Sequence, residues 1–219
     1  MINNKPGIYN GFGVYKIGGG VDPFDNIYLY PVKDGDITID GENYPYKKIN
    51  NRYWILKNLY MEVPGASKNP SGNPSSASYW DCYGDNDLKY IFGFQYNGYC
   101  VQIINSNLPA GWRVPNDDDF NDLITGFDAN DLKSLKCWGL NTNAVKPTNK
   151  SFFNALPAGQ RADGVNNSLM AGAYYWSTSE EAGGTGRLNN MRLRDETNEV
   201  TFGYNAKSRS RSIIICKDL

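Results

Sequence analysis

Glycine and asparagine set the first constraint on this chain, which carries 23 Gly and 27 Asn among 219 residues. Both tolerate positive φ and both weaken helices, so turns and short strands are favoured over long helices. The 14% aromatic fraction supplies broad apolar faces to pack between such short elements. The length suits one domain, or one domain with an appendage.

Residues 1–38 read as the appendage. They are rich in Gly and Tyr, and Gly18-Gly19-Gly20, Pro23 and Ile27-Tyr28-Leu29-Tyr30 suggest a joint leading into a short strand. Such a segment would attach or oligomerise the domain expected at residues 39–219. There, strand pieces at 44–49 and 53–59 flank a tight turn at Asn50-Asn51. Residues 64–78, dominated by Ser, Asn, Pro and Gly, hold too few large apolar side chains to offset ordering entropy and are expected to form an exposed, mobile loop. Asn116 can cap a helix with Asp119 returning the capping-box bond, and Phe120, Leu123 and Ile124 form its apolar face. A second short helix is predicted over 130–136 with Leu132 and Leu135 inward, ending near Gly139.

Beyond it the pattern is strand and loop. Residues 188–194 alternate, with Met191 and Leu193 inward and Asn190, Arg192 and Arg194 outward. A hairpin turn follows at 195–198, and Val200, Phe202 and Tyr204 share one face of the returning strand. Ile213-Ile214-Ile215-Cys216 reads as a central buried strand. The sum is an α+β fold of small antiparallel sheets, two short helices to one side, and long loops.

Five segments, in order, carry a family resemblance over roughly four fifths of the chain. They are Asp40-Gly41-Glu42-Asn43-Tyr44 with residues 49–59; Leu108-Pro109-Ala110-Gly111-Trp112-Arg113-Val114-Pro115 with the helix start after it; residues 153–161, which include Leu156-Pro157-Ala158-Gly159; Tyr175-Trp176-Ser177-Thr178-Ser179-Glu180; and Lys207-Ser208 with residues 213–217. Together they resemble the Fibrobacter succinogenes major paralogous domain family. The resemblance implies a C-type lectin-like fold whose loop-rich face is carried on two small sheets and two helices. It also implies that Trp54, Trp112, Leu156 and Trp176 form the buried framework. The family often has a cysteine before the Pro-Gly-Trp motif; Leu108 stands there, which removes a bond to Cys216. Some proteins of this fold are phage receptor-binding tips or surface proteins diversified by retroelements, so those settings are expectations here.

The absence of His closes the Ser-His-Asp and Cys-His designs and the commonest general base. Cys82, Cys100, Cys137 and Cys216 lack the C-x-x-C spacing of zinc or redox sites and do not match the paired cysteines of the formylglycine-generating enzymes on this fold. They are expected to be buried free thiols, with folding independent of disulfide and metal. Asp81, Asp85 and Asp87, and Asp117 to Asp119, lack EF-hand spacing, and neither Glu-Pro-Asn nor Gln-Pro-Asp occurs. Turn and cap roles are expected for them, with no metal and no cofactor.

Charge points to the C-terminal region. Residues 187–217 hold seven Lys and Arg against three acids, whereas the rest of the chain holds fifteen against twenty. Arg offers planar bidentate contacts to anions, and Tyr adds rigid amphipathic area. The expected ligand face comprises Tyr174, Tyr175, Asn190, Arg192, Arg194, Tyr204, Asn205, Lys207, Arg209 and Arg211. The alternative for these arginines is a solvated edge strand protected from pairing.

The reading is therefore a non-enzymatic recognition protein that binds a polar or anionic cell-surface protein or glycan. Nucleic-acid binding and membrane insertion are not expected, and homo-oligomerisation, as a trimer in a tail-fibre tip, is compatible with it. A carbohydrate-active or modifying enzyme and a structural virion or matrix component are the alternatives. Met1-Ile2-Asn3-Asn4-Lys5-Pro6-Gly7 lacks a signal peptide's apolar segment, so synthesis in the cytoplasm followed by action in an extracellular virion is expected.

Overall fold

The computed structural model describes residues 32–139, 146–184 and 186–219. The expected joint at Gly18-Gly19-Gly20 and the strand at 27–30 lie outside them. Among the described residues, the strands form three sheets, and every strand pair but one is antiparallel.

The first sheet is built from β1 (Gly35–Ile39), β2 (Glu42–Ile49), β3 (Arg52–Ile55), β7 (Trp112–Arg113) and β14 (Cys216–Asp218), in the order β1-β2-β3-β14-β7. Its hairpins turn at Asp40-Gly41 and at Asn50, all with positive φ, the conformation their residue types tolerate. Asn50 Nδ2 donates to the Asp122 and Thr125 carbonyls at 2.6 and 3.1 Å, anchoring its turn. The ladder thus starts at Gly35, upstream of residue 39.

The second sheet comprises β4 (Ser67–Lys68), β5 (Ser78–Asp81), β6 (Phe94–Asn97), β8 (Gln160–Ala162), β9 (Val165–Asn167) and β13 (Ser210–Arg211), in the order β4-β5-β6-β13-β8-β9. The parallel pair is β4 with β5, so the mostly exposed 64–78 segment carries a two-residue strand. The third sheet is β10 (Gly172–Glu180), β11 (Arg187–Arg194) and β12 (Thr201–Ala206), with β12 at its margin.

Among the described residues, four short α-helices complete the architecture: α1 (Lys89–Phe92), α2 (Cys100–Asn107), α3 (Asp117–Leu123) and α4 (Ala129–Leu132). None of the described helices is long and apolar enough to cross a membrane. The α3 capping box forms as the sequence predicts: Asn116 Oδ1 accepts from Asp119 N at 2.9 Å, and the Asp119 carboxylate accepts from Asn116 N at 2.8 Å. Asp119 then gathers Arg113 from β7 in a two-bonded pair and Arg52 from β3 at 2.7 Å, while Asp218 of β14 meets both arginines at 2.9 and 3.1 Å. One buried carboxylate therefore ties α3 to the first sheet.

Trp54, Trp112, Leu156 and Trp176 are all buried. Trp54 stacks on Phe120 with centroids 5.9 Å apart and meets Phe153 edge-on at 5.6 Å, joining β3 to α3.

Four expectations are corrected. The second helix starts at Ala129 because Asp128 caps it, and it stops at Lys133, which turns extended; Leu135 is 63% exposed rather than inward. Helices α1 and α2 were not anticipated. Residues 56–59 lie beyond the end of β3, although Leu56 and Leu59 are buried. Ile213 to Ile215 are buried but form no ladder; their chain is held by single bonds from Leu59 N to Ile213 O and Ile55 N to Ile215 O, and the strand proper begins at Cys216.

Candidate functional site

The third sheet positions most of the expected ligand face, and register separates its two sides. Tyr175 pairs with Met191 and Met191 with Phe202, while Asn189 pairs with Tyr204. Side chains of paired residues share a face, so Phe202 and Tyr204 project on the Met191 and Leu193 side. Tyr174 pairs with Arg192, Trp176 with Asn190, and Asn190 with Gly203, which places Arg192, Arg194 and Asn205 on the reverse side. Tyr204 is therefore not beside Arg192 and Arg194, as expected from sequence; its neighbour is Arg187, whose guanidinium carbon lies 5.3 Å from the ring centre.

Burial corrects four further members. Tyr175 is enclosed, and its hydroxyl accepts from Leu156 N at 3.2 Å, linking β10 to the segment before β8. Burial pushes that phenol upward, so it stays protonated. Asn190 is buried with its Nδ2 donating to Gly203 O at 3.0 Å, pinning β11 to β12. Tyr174 is 4% exposed because Arg211 covers it. Arg211 itself is 1% exposed, its guanidinium carbon 5.4 Å from the Tyr174 ring centre and 4.9 Å from that of Trp176. These four belong to the framework: Tyr175 faces the core on the Met191 side, and the other three lie on the reverse side, where β13 brings Arg211 against Tyr174 and Trp176.

The remaining members are accessible to different degrees. Arg194 is exposed and lies 3.4 Å from Glu196. Arg192 is half-buried, its Nε donating to Asn190 Oδ1 at 2.6 Å. Asn205 accepts from Arg209 Nη1 at 2.9 Å, and Arg209 reaches Asp163 at 3.3 Å. Lys207 meets Glu180 at 2.6 Å, and its carbonyl accepts from Gly98 N at 2.7 Å, joining this loop to the turn before α2. Phe202, 42% exposed, and Tyr204, 49% exposed, form the largest aromatic area on the sheet margin. Sequence reading placed Phe202 on Tyr204's face but left it and Arg187 off the ligand face; the marginal place of β12 depends on pairing partners, which alternation does not reveal.

The acidic residues weighed as possible oxygen ligands make local contacts instead. Asp81 is held by Asn69 at 2.6 Å and Lys68 at 3.2 Å, Asp85 accepts from Asp87 N at 3.0 Å, and Asp117 accepts from Ser177 and Asn189, each at 2.6 Å. Among the described residues, no cluster of three His, Cys, Asp or Glu is placed to hold a metal. All four cysteines are free; Cys137 is only partly buried, whereas the other three are enclosed. Burial pushes all four thiols up, Cys137 to about 11, so they are protonated and weakly nucleophilic at neutral pH.

A buried cation lies behind the sheet's other end. Lys133 Nζ donates to Asn130 Oδ1 at 3.0 Å and Thr197 O at 2.7 Å, and sits 5.2 Å from the Trp138 ring centre. Burial lowers its ammonium to about 8, against the pull of Asp195, Asp128 and Glu196. Because the folded value lies below the unfolded one, Lys133 is less protonated in the folded chain between about pH 8 and 10, and its own contribution to stability should rise with pH there. Urea unfolding at pH 7.5 and 9.5 should give a stability change that is more favourable in wild type than in Lys133→Met, since the buried thiols, which oppose it, are common to both. Parallel behaviour of the two proteins would contradict this assignment.

The architecture defines an α+β domain of small, mostly antiparallel sheets with short helices. The chain belongs to the Fibrobacter succinogenes major domain family, whose model matches residues 48–205. No curated protein and no solved structure matches it.

Proposed function

We propose that this chain is a non-enzymatic recognition module on a C-type lectin-like fold, and that β12 and its flanking loops form the contact surface for a polar or anionic cell-surface receptor. The observation that carries the reading is the pair Phe202 and Tyr204. A margin strand exposes two large aromatics two residues apart, beside Arg187, where a merely solvated edge would carry charge or Pro instead. Tyr and Phe provide contact area at low entropic cost, and the local excess of Lys and Arg favours an acidic partner through steering. The setting we propose is extracellular: a phage tail tip or a retroelement-diversified variable protein, the latter marked by a neighbouring reverse transcriptase and a near-copy of the coding 3′ end.

The test compares labelled full chain with Phe202→Ser/Tyr204→Ser on a printed array of neutral and acidic glycans and of bacterial surface proteins. Wild type should bind a discrete subset of spots, and binding should weaken with salt. The double variant should lose those spots while its melt stays close to wild type, as surface changes usually alter stability by within about 0.5 kcal/mol. Undiminished binding by the variant would move the surface away from β12, with the 64–78 loop next.

A further inference from the structure

The chain has eight arginines, and five meet a carboxylate: Arg52, Arg113, Arg187, Arg194 and Arg209. Arg161, Arg192 and Arg211 do not, among the described residues. Arg161 instead lies over Trp80, 5.3 Å from its ring centre, on the opposite face of the second sheet from Arg211. Arg192 and Arg211 share one cluster, behind the third sheet.

That cluster is unusual in its charge balance. Arg211 is enclosed, yet its side chain makes one hydrogen bond, to Gln160 Oε1, and its buried Nε meets no acceptor. Arg192 uses Nε, toward Asn190, and among the described residues neither Nη group meets an acceptor. Its guanidinium packs against Gly203; a Cβ at that position would overlap it. Arg209 borders the pair through Asn205. Burial weighs first against the charged forms of Arg192 and Arg211, with repulsion from Arg194 and Arg209 added at Arg192 and from Arg192 and Arg209 at Arg211. The carboxylate that meets Arg209, Asp163, is exposed. A buried guanidinium is ordinarily paired, since desolvation is costly without a counter-charge.

We propose that Arg192, Arg209 and the underlying Arg211 form a binding site for an oxyanion, a phosphate, sulfate or carboxylate group, on the reverse side of β12 from Phe202 and Tyr204. The free Nη groups of Arg192 supply the directional contacts, and Arg211 supplies charge from beneath. Guanidinium geometry matches planar or tetrahedral oxyanions through paired N–H donors. Gly203 is what lets Arg192 hold this position. The site stands independently of the aromatic surface, because its residues are on the other face of the sheet.

Calorimetric titration of the full chain with inorganic phosphate, sulfate and glucuronate, each against chloride at matched ionic strength, tests it and separates the anion classes. At least one anion should give a saturable one-site isotherm, weakened by about tenfold or more in Arg192→Gln and in Arg211→Met. Absence of saturation with all three up to roughly 50 mM, or wild-type isotherms in Arg192→Gln, would overturn the proposal. Should Arg211→Met not fold, Arg192→Gln decides alone, because its side chain is half-buried where that of Arg211 is enclosed. Phe202 and Tyr204 are intact in every protein titrated, so a failure here leaves the receptor reading standing, and the array result leaves this one standing.

Discussion

An Asp119→Ala variant should unfold with a free energy about 3–5 kcal/mol below wild type, the loss typical of breaking a buried, hydrogen-bonded ion pair from one side. The carboxylate is buried and serves three elements at once: it completes the α3 capping box, pairs with Arg113 of β7, and meets Arg52 of β3. Removing it leaves Arg113 to the exposed Asp218, Arg52 to Asp218 and Asp122, and Asn116 N without its acceptor. Asp118, one residue earlier and exposed, is the control; Asp118→Ala should change stability by within about 0.5 kcal/mol. Burial by itself would raise the Asp119 carboxyl, but the Arg113 hydrogen bond, the Asn116 N–H and the charges of Arg113 and Arg52 hold it below the usual range. A lowered folded value means that this stabilisation is complete at neutral pH and is lost as pH falls through that folded value. Denaturant unfolding of both variants measures this, and equal stabilities for Asp119→Ala and Asp118→Ala would refute the role.

Trp176→Ala should cost about 3–5 kcal/mol as well, by a different route. The indole is enclosed between the third sheet and β13, its Nε1 donates to Tyr96 O at 2.8 Å, and its ring underlies Arg211. Truncation opens a cavity, removes a bond joining two sheets and strips the buried guanidinium of one aromatic face. Trp176→Phe keeps most of the volume and should recover much of the loss. A melt of Trp176→Ala close to wild type would contradict this packing.

Local features of the fold were legible in the sequence. The α3 cap is written within four residues, and the Asn50-Asn51 turn within two, because their partners are neighbours in the chain. Met191 and Leu193 inward, with Arg194 outward, also follow from alternation. The illegible parts are those where a distant segment decides. Arg211 reads as a surface cation, yet β13 is closed over by Tyr174 and Trp176, and nothing near residue 211 encodes that cover. Tyr174 and Asn190 are buried for the same reason. Alternation in the sequence sets Arg192 outward and, with it, beside Tyr204, whereas strand register puts the two on opposite faces. Helix α2 has no side-chain N-cap and buries only Cys100, Val101 and Ile104, so its sequence carries neither a start signal nor a wide apolar stripe.

The central claim is that residues 174–211 divide into a framework beneath the third sheet and a recognition surface on its margin. A display-based scan of single substitutions, reading folded yield and binding to the array-selected receptor on the same clones, tests this most directly. Substitutions at Tyr174, Tyr175, Trp176, Asn190 and Arg211 should lower folded yield, whereas those at Phe202 and Tyr204 should keep it and lose binding. Binding that survives at Phe202 and Tyr204, or folded yield that falls there as it does at Trp176, would contradict the division.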